Sequence, residues 1–458
     1  MDLYIIPIRD PAGAGKFIIY RPLIGLAFIG NRAMADLTQA LGMNDDAFRY
    51  NKAALGFLEQ IGFSEADCTP PDPLEANFCP TTAVLLLTNQ CQLRCTYCYA
   101  AAGESARKEL SPELGQAIID EVCANAQEVG LPKFDVSFHG GGEPTLAWKT
   151  LQACTDYARH KPLPANITLT SNGIWSPAHR KWVIENLDSL SLSMDGSPAT
   201  QDNHRPFASG KTSSAQVMKT IAELDRHGFN YGIRMTAVAP WENFPRDVQF
   251  LCEQTLCPSM QVEPAFNIQR GGHRQASQAN AISFAEAFLD AQEIASQAGR
   301  YLSYSGARLG QVTGTFCTAP FEALVVNANA GLVACYEIAS DSHHLSDISI
   351  IGHVVDGTIQ VDKNARTRLH GLMAERRAGC RDCFCYWSCA GDCYTRSFVP
   401  GDAGHLHYGA RCEQNRYLLE KLLINAIADG DGLWRISRNR MIPTHSRSNT
   451  IEGNIYNG

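Results

Sequence analysis

The stretch AVLLLTNQCQLRCTYCYA, residues 83–100, runs from a segment of strand composition straight into three cysteines, Cys91, Cys95 and Cys98. A thiol triplet at a strand's exit occupies a connecting loop, where α/β folds place their chemistry. Three thiols within eight residues have ligand spacing, yet a closed tetrahedral metal site wants four donors. A four-iron cluster held by three protein thiolates would leave one iron open for another partner. A structural zinc with its fourth ligand elsewhere, or three unrelated buried thiols, are the bland alternatives.

Working outward, strand candidates recur at 83–89, 134–140, 166–172, 189–195, 231–238 and 259–266, separated by segments long enough for helices. This is repeated βα architecture with a parallel sheet. Six units fall short of an eight-stranded barrel, so an open partial (β/α)6 barrel over residues 80–300 is expected, with a helix near 281–299. Upstream, LYIIPI and KFIIYRPLIGLAFI have strand composition, while NRAMADLTQALG and DDAFRYNKAALGFLEQIG have helical periodicity. They predict a separate small α+β unit over 1–75, followed by a proline-rich linker, CTPPDPLEANFCP. Beyond the barrel, a cysteine-rich, loop-rich region spans 310–413, and residues 414–458 form a C-terminal helix and tail. The tail after Asp429 shows no periodicity.

Composition narrows the class. A length of 458 residues implies two or three domains, and a net charge of −8 argues against a broad nucleic-acid surface. No apolar stretch approaches a membrane span, and the N-terminus lacks a signal-peptide pattern, which leads to an expected cytoplasmic location. In a reducing compartment, 17 cysteines point to metal ligands before disulfides.

Further small polar motifs fall at successive strand ends. GGGEP (Gly140, Gly141, Gly142, Glu143, Pro144) follows the second strand, TSNG with Ser171 and Asn172 the third, and SMDG with Ser193 and Asp195 the fourth. Each alone is an ordinary tight connection. Together with the CX3CX2C triplet and Tyr97 before its last cysteine, they resemble the radical SAM family. The resemblance implies that Cys91, Cys95 and Cys98 hold a 4Fe–4S cluster whose open iron binds S-adenosylmethionine (SAM). It further implies that reductive cleavage of SAM yields methionine and a 5′-deoxyadenosyl radical that abstracts hydrogen from substrate. By the same resemblance, the GGGEP backbone and Glu143 contact the SAM ammonium, and the TSNG and SMDG groups its ribose and carboxylate, with Arg205 a further carboxylate partner.

The C-terminal cysteines give Cys380-X2-Cys383-X5-Cys389-X3-Cys393, followed by Cys412 and preceded by Cys317 and Cys335. Taken alone, they would suit a pair of zinc knuckles. Beside the upstream motif they resemble the SPASM extension, which implies two auxiliary 4Fe–4S clusters, three clusters in all. Cys317, Cys335 and Cys393 would serve the first, and Cys380, Cys383, Cys389 and Cys412 the second. The resemblance calls for one more cysteine before Cys317, but Gln311 stands in that neighbourhood, so the first auxiliary site is expected to be open or closed by a non-cysteine group. Cys68, Cys79, Cys123, Cys154, Cys252, Cys257 and Cys385 read as spectators.

SPASM enzymes mostly modify peptides or proteins, which implies an oxidoreductase that matures a ribosomally synthesised precursor peptide, forming a thioether or carbon–carbon crosslink. An electron donor such as flavodoxin or ferredoxin is implied as partner. A protein-oxidising maturase of the sulfatase-maturase type, or a peptide epimerase, is the alternative, and a non-catalytic iron–sulfur or zinc scaffold the rival of another class. Sulfatase maturases carry an Asp base after the cysteine matching Cys335; here Tyr336 and Glu337 follow, and either is a candidate proton acceptor. The 1–75 unit resembles a small winged-helix domain that captures a leader peptide as an added strand. A cap over one end of the barrel is the alternative reading.

Overall fold

The computed structural model describes residues 1–9, 13–43, 51–69, 78–265, 270–271, 278–397 and 409–437. Most of the proline-rich linker, Phe266 at the end of the sixth strand candidate, and the tail arginines Arg438, Arg440 and Arg447 lie outside these residues.

Two sheets organise the chain. The smaller is antiparallel, in the order β1 (Tyr4–Pro7), β2 (Lys16–Arg21), β3 (Leu26–Asn31) and β15 (Leu433–Arg435). KFIIYRPLIGLAFI is therefore two strands, because Pro22 opens a short turn of 3-10 helix that closes on Gly25 in the left-handed conformation, φ 62°. The helices Arg32–Gly42 and Lys52–Gln60 follow; Leu37 and Leu58 pack with Phe28 and Phe63 beneath the sheet. The expectation of an aperiodic tail needs correction at one point. Leu433–Arg435 pairs with β3, and Trp434 packs on Tyr20 with ring centroids 6.2 Å apart. The first residues are thus fastened by the last described ones, and are not a freestanding unit.

The larger sheet has eleven strands in the order β10-β9-β8-β7-β6-β5-β4-β11-β12-β13-β14. Its parallel centre comprises β4 (Thr82–Leu86), β5 (Phe134–His139), β6 (Ala165–Ser171), β7 (Ser189–Ser193), β8 (Tyr231–Val238) and β9 (Ser259–Ala265). These are the six expected units, with helices between them. Two short strands extend the row: β10 (Tyr301–Tyr304) runs parallel to β9, and β11 (Ala323–Val326) parallel to β4. From β11 the sheet continues as an antiparallel meander, β12 (Gly331–Val333), β13 (Ile350–Val355) and β14 (Thr358–Val361). The cysteine-rich region is therefore joined to the barrel strands by backbone pairing. Among the described residues no helix is long and apolar enough to cross a membrane.

The two faces of the parallel strands differ in chemistry. Val136, Phe138, Ile167, Leu169, Leu190, Leu192, Ile233 and Met260 point to one side and are buried against the helices, each contributing roughly 1.5–3 kcal/mol by leaving water. Register places Ser137, His139, Thr168, Thr170, Ser191, Ser193, Arg234, Thr236 and Gln261 on the other side, where all are partly exposed. Strict alternation of this kind marks strands with one dry and one wet face.

Candidate active site

Because β4 to β7 are parallel, their exit loops gather at one edge, and the expected site residues gather with them. The thiol loop lies along the segment that carries Arg205. Arg94 N–H donates to the Pro206 carbonyl at 2.7 Å and Thr96 N–H to the His204 carbonyl at 2.9 Å. The Arg94 guanidinium then bonds the carbonyls of Cys91 at 2.7 Å and Gly103 at 2.9 Å, bracing the loop from within. Arg270 braces its far side through the carbonyls of Cys95 at 2.8 Å and Ala102 at 3.0 Å. Cys91, Cys95 and Cys98 are each partly exposed at this edge.

The GGGEP loop packs directly on the thiol loop. Gly142 N–H donates to the Thr88 carbonyl at 2.8 Å and Glu143 N–H to the Gln90 carbonyl at 2.7 Å. A Cβ at Gly142 would stand 2.1 Å from the Gln90 oxygen, so only glycine allows this approach. Glu143 is buried, as is Pro144 after it. One carboxylate oxygen of Glu143 accepts from Thr145 N–H at 3.2 Å, Thr145 Oγ1 at 2.7 Å and Ser171 Oγ at 2.7 Å; the other accepts from Asn172 N–H at 2.9 Å. Burial raises its pKa, with these donors opposing. Glu143 thus ties the exits of β5 and β6 together and leaves Oε2 the less committed oxygen. Gly140 and Gly141 complete the turn, where a Cβ on Gly140 would strike the Gly142 oxygen.

Asp195 and Arg205 form a buried pair, Nε to Oδ1 at 3.1 Å. Tyr97 donates its hydroxyl to the same carboxylate, and Thr236 N–H donates to it at 2.9 Å. Burial would raise the Asp195 carboxyl, but Arg205 and these donors hold it below the ordinary carboxylate range. The Arg205 guanidinium also stacks over the Tyr97 ring at 5.4 Å. The pairing of these three residues has no sequence signal beyond their separate motifs. Ser193 lies on the wet face beside Arg234.

Six of the C-terminal thiols neighbour one another electrostatically. Cys335 feels the charges of Cys393 and Cys317; Cys389 feels that of Cys412, and Cys412 that of Cys380. Cys383 stands beside Cys385, whose side-chain hydrogen bond brings its pKa down to about 6. Tyr336 tilts against His139 with centroids 5.2 Å apart. The Glu337 carboxylate is held by Arg396 Nη2 at 3.0 Å and Thr395 Oγ1 at 3.1 Å. Despite its burial, those partners keep Glu337 ionised, below the usual range. Sequence reasoning missed Thr395 and Arg396, which follow Cys393 directly and could have been flagged by that adjacency. Gln311 is exposed.

Hydrogen bonding to sulfur tests whether these thiols suit a metal cluster. Cys91 Sγ accepts from Leu93 N–H at 3.4 Å and Asn172 Nδ2 at 3.8 Å. Cys335 Sγ accepts from Glu337 N–H at 3.4 Å, Cys389 Sγ from Asn415 Nδ2 at 3.7 Å, and Cys412 Sγ from Arg376 Nη2 at 3.8 Å. Cys393 Sγ shares a bond with Thr395 Oγ1 at 3.1 Å. Cys79, Cys154, Cys257 and Cys385 each point S–H at a main-chain carbonyl, and Cys257 also meets the main-chain N–H groups of Ser259 and Ile233. Donors aimed at sulfur stabilise thiolate and tune a bound cluster. Without metal, burial pushes Cys91 up to about 12 and Cys95 up to about 11, so cluster loading would release their protons. Thiolate sulfurs are the donors that iron–sulfur clusters take, and the chemistry of this donor set fits such a cluster.

Comparison with known proteins agrees: the radical SAM superfamily matches over residues 85–249, the span that holds the triplet, GGGEP, TSNG and SMDG. Residues 85–249 are a radical SAM domain. The Fe-coproporphyrin III synthase of Methanosarcina barkeri is 30% identical over 151 residues, 33% of this chain and 35% of that protein. The chain spans about a third of the length of the first curated relatives it matches, 35% and 34%. Among solved structures, native anSMEcpe with bound AdoMet and Cp18Cys peptide superposes with TM-score 0.62 at 18% identity, covering 76% of this chain and 99% of that one. Streptococcus suis SuiB bound to S-adenosylmethionine gives TM-score 0.50 at 15% identity, covering 86% and 98%. At such identities the likeness establishes a shared fold.

Proposed function

We propose that this chain is a radical SAM maturase that modifies a peptide, with auxiliary clusters in its C-terminal region. When bound to the cluster at Cys91, Cys95 and Cys98, SAM supplies a 5′-deoxyadenosyl radical able to abstract hydrogen from an unactivated carbon. The chain's own residues orient that chemistry. Glu143, Ser171 and Asn172 shape the SAM cradle on one side of the triplet, and Asp195 with Arg205 fixes Tyr97 on the other. The observation that carries the reading is the thiol triplet at the exit of β4, packed against the GGGEP loop through Gly142 N–H to Thr88 and Glu143 N–H to Gln90.

A peptide substrate is supported by the fold shared with anSMEcpe, whose structures include a peptide-bound form. The product proposed is an intramolecular crosslink: one peptide hydrogen would leave in 5′-deoxyadenosine, the second as a proton, and the remaining electron would need an acceptor, a chemistry that clusters held by Cys317, Cys335 and Cys393 or by Cys380, Cys383, Cys389 and Cys412 would supply. The locked Glu337–Arg396 pair disfavours Glu337 as the base that a sulfatase-type oxidation needs, since a base works best with a pKa near the working pH. A flavodoxin or ferredoxin would supply the reducing electron in a cytoplasmic setting.

The test is anaerobic reconstitution with iron and sulfide, followed by SAM, dithionite and the short peptide encoded beside the gene. Release of 5′-deoxyadenosine with a peptide lighter by two hydrogens is expected. A peptide of unchanged mass with inverted stereochemistry would replace crosslinking by epimerisation, and no 5′-deoxyadenosine would leave the scaffold reading.

A further inference from the structure

The donors that meet sulfur in this chain are of two kinds. Leu93 N–H at Cys91, Glu337 N–H at Cys335, Asn415 Nδ2 at Cys389 and Arg376 Nη2 at Cys412 are N–H groups, which turn away only if heavy atoms move. At Cys393 the sulfur meets a hydroxyl, Thr395 Oγ1, at 3.1 Å. A hydroxyl carries one proton, which rotates to whichever acceptor holds it better. Two acceptors compete for it here, because Glu337 Oε2 also stands 3.1 Å from Thr395 Oγ1.

The three groups are held from both ends. Glu337 lies in the turn after Cys335, where Ile338 N–H bonds the Cys335 carbonyl at 3.2 Å and Ala339 N–H the Glu337 carbonyl at 2.9 Å. Its other carboxylate oxygen keeps Arg396 Nη2 at 3.0 Å, so Glu337 stays paired when the hydroxyl turns away. On the opposite side, buried Tyr394 donates its hydroxyl to Ser349 Oγ at 3.2 Å, and Arg396 N–H bonds the Cys393 carbonyl at 3.2 Å. Thr395 itself is only 6% exposed, which screens its proton from bulk water.

A free Cys393 thiol has a proton of its own to share with Thr395, whereas a metal-bound thiolate has none, so the hydroxyl must supply the hydrogen between them. Reduction of a bound cluster adds negative charge to its sulfurs and strengthens a donor there, while the charge on Glu337 stays the same. We propose that Thr395 is a two-position donor that turns from Glu337 to Cys393 when the first auxiliary cluster gains an electron, and so raises the reduction potential of that cluster. The turn breaks no covalent bond and transfers no proton between heavy atoms. The inference rests on the auxiliary-cluster reading and gives that cluster a device suited to taking up the electron left by crosslinking.

The test is a redox titration of the iron-reconstituted full chain with dithionite, followed by electron paramagnetic resonance. Thr395→Val keeps the shape and removes the hydroxyl. It should make one cluster about tenfold harder to reduce, a fall of about 59 mV for one electron, and leave the other midpoints in place. Thr395→Ser restores a hydroxyl and should bring that midpoint back. Unchanged midpoints in Thr395→Val, or an equal fall in Thr395→Ser, overturn the proposal. A second measurement needs no variant: brief transfer of the unaltered chain into deuterium oxide, too short to exchange buried amides, then electron–nuclear double resonance of the reduced state. A deuteron coupled to one of the signals that SAM does not shift is expected, and its absence overturns the proposal whether or not Thr395→Val folds. A chain whose one iron–sulfur signal is the signal that SAM shifts has no auxiliary cluster; that distinct result removes the underlying reading, and the inference with it.

Discussion

Asp195 and Arg205, ten residues apart in sequence, meet as a buried ion pair at 3.1 Å and together hold the hydroxyl and ring of Tyr97, the residue before Cys98. Neither charge is left to solvent, and the loop that carries the thiols is fixed to the exit of β7 through them.

Replacing Asp195 by Asn would leave the Arg205 charge buried and unpaired, at a cost of about 3–5 kcal/mol. The pair also sets a pH dependence. The native carboxyl sits below its ordinary value, so the stabilisation is full above a pH of about 4 and is lost as pH falls through the native pKa. Urea melts at several pH values should show the wild-type chain losing stability on acidification and Asp195→Asn losing less over the same range.

Glu143→Gln places an amide N–H₂ where one carboxylate oxygen now meets an N–H or hydroxyl donor. A buried donor facing donors costs about 1–3 kcal/mol, and the exits of β5 and β6 should loosen. A lower melting temperature with weaker SAM binding by calorimetry is expected; unchanged values of both would contradict the bracing role.

Gly142→Ala forces the chain off Gln90, the residue before Cys91. Overpacking of this kind costs about 1–3 kcal/mol, and here the displaced backbone is the thiol loop itself. Iron bound per chain after reconstitution should fall, whereas Gly371→Ala, where an added Cβ meets nothing within 4 Å, should leave it unchanged.

Deleting residues after Gly432 uncovers the β3 edge and removes the Trp434 contact with Tyr20. Amides of residues 26–28 should exchange faster with deuterium, and the melting temperature should fall.

The six parallel strands and the thiol triplet were legible in the sequence because each strand alternates or runs apolar for five residues or more and the first four end on a motif. β10 and β11 were not, since four residues carry too little periodicity to distinguish a strand from a loop. β15 escaped for a different reason: its three residues gain their structure from β3, some four hundred positions away. The Asp195–Arg205 pair was seen only as two separate candidate SAM contacts, because sequence shows motif membership and not which side chains satisfy each other first.

The most direct test of the central claim, a three-thiol cluster with a corner free for SAM, is the electron paramagnetic resonance spectrum of the iron-reconstituted, dithionite-reduced chain recorded with and without SAM. A 4Fe–4S signal whose g-values shift on adding SAM, and which is missing when Cys91, Cys95 and Cys98 are all replaced by alanine, is predicted. A spectrum indifferent to SAM, or zinc bound at the triplet in place of iron, would contradict the account.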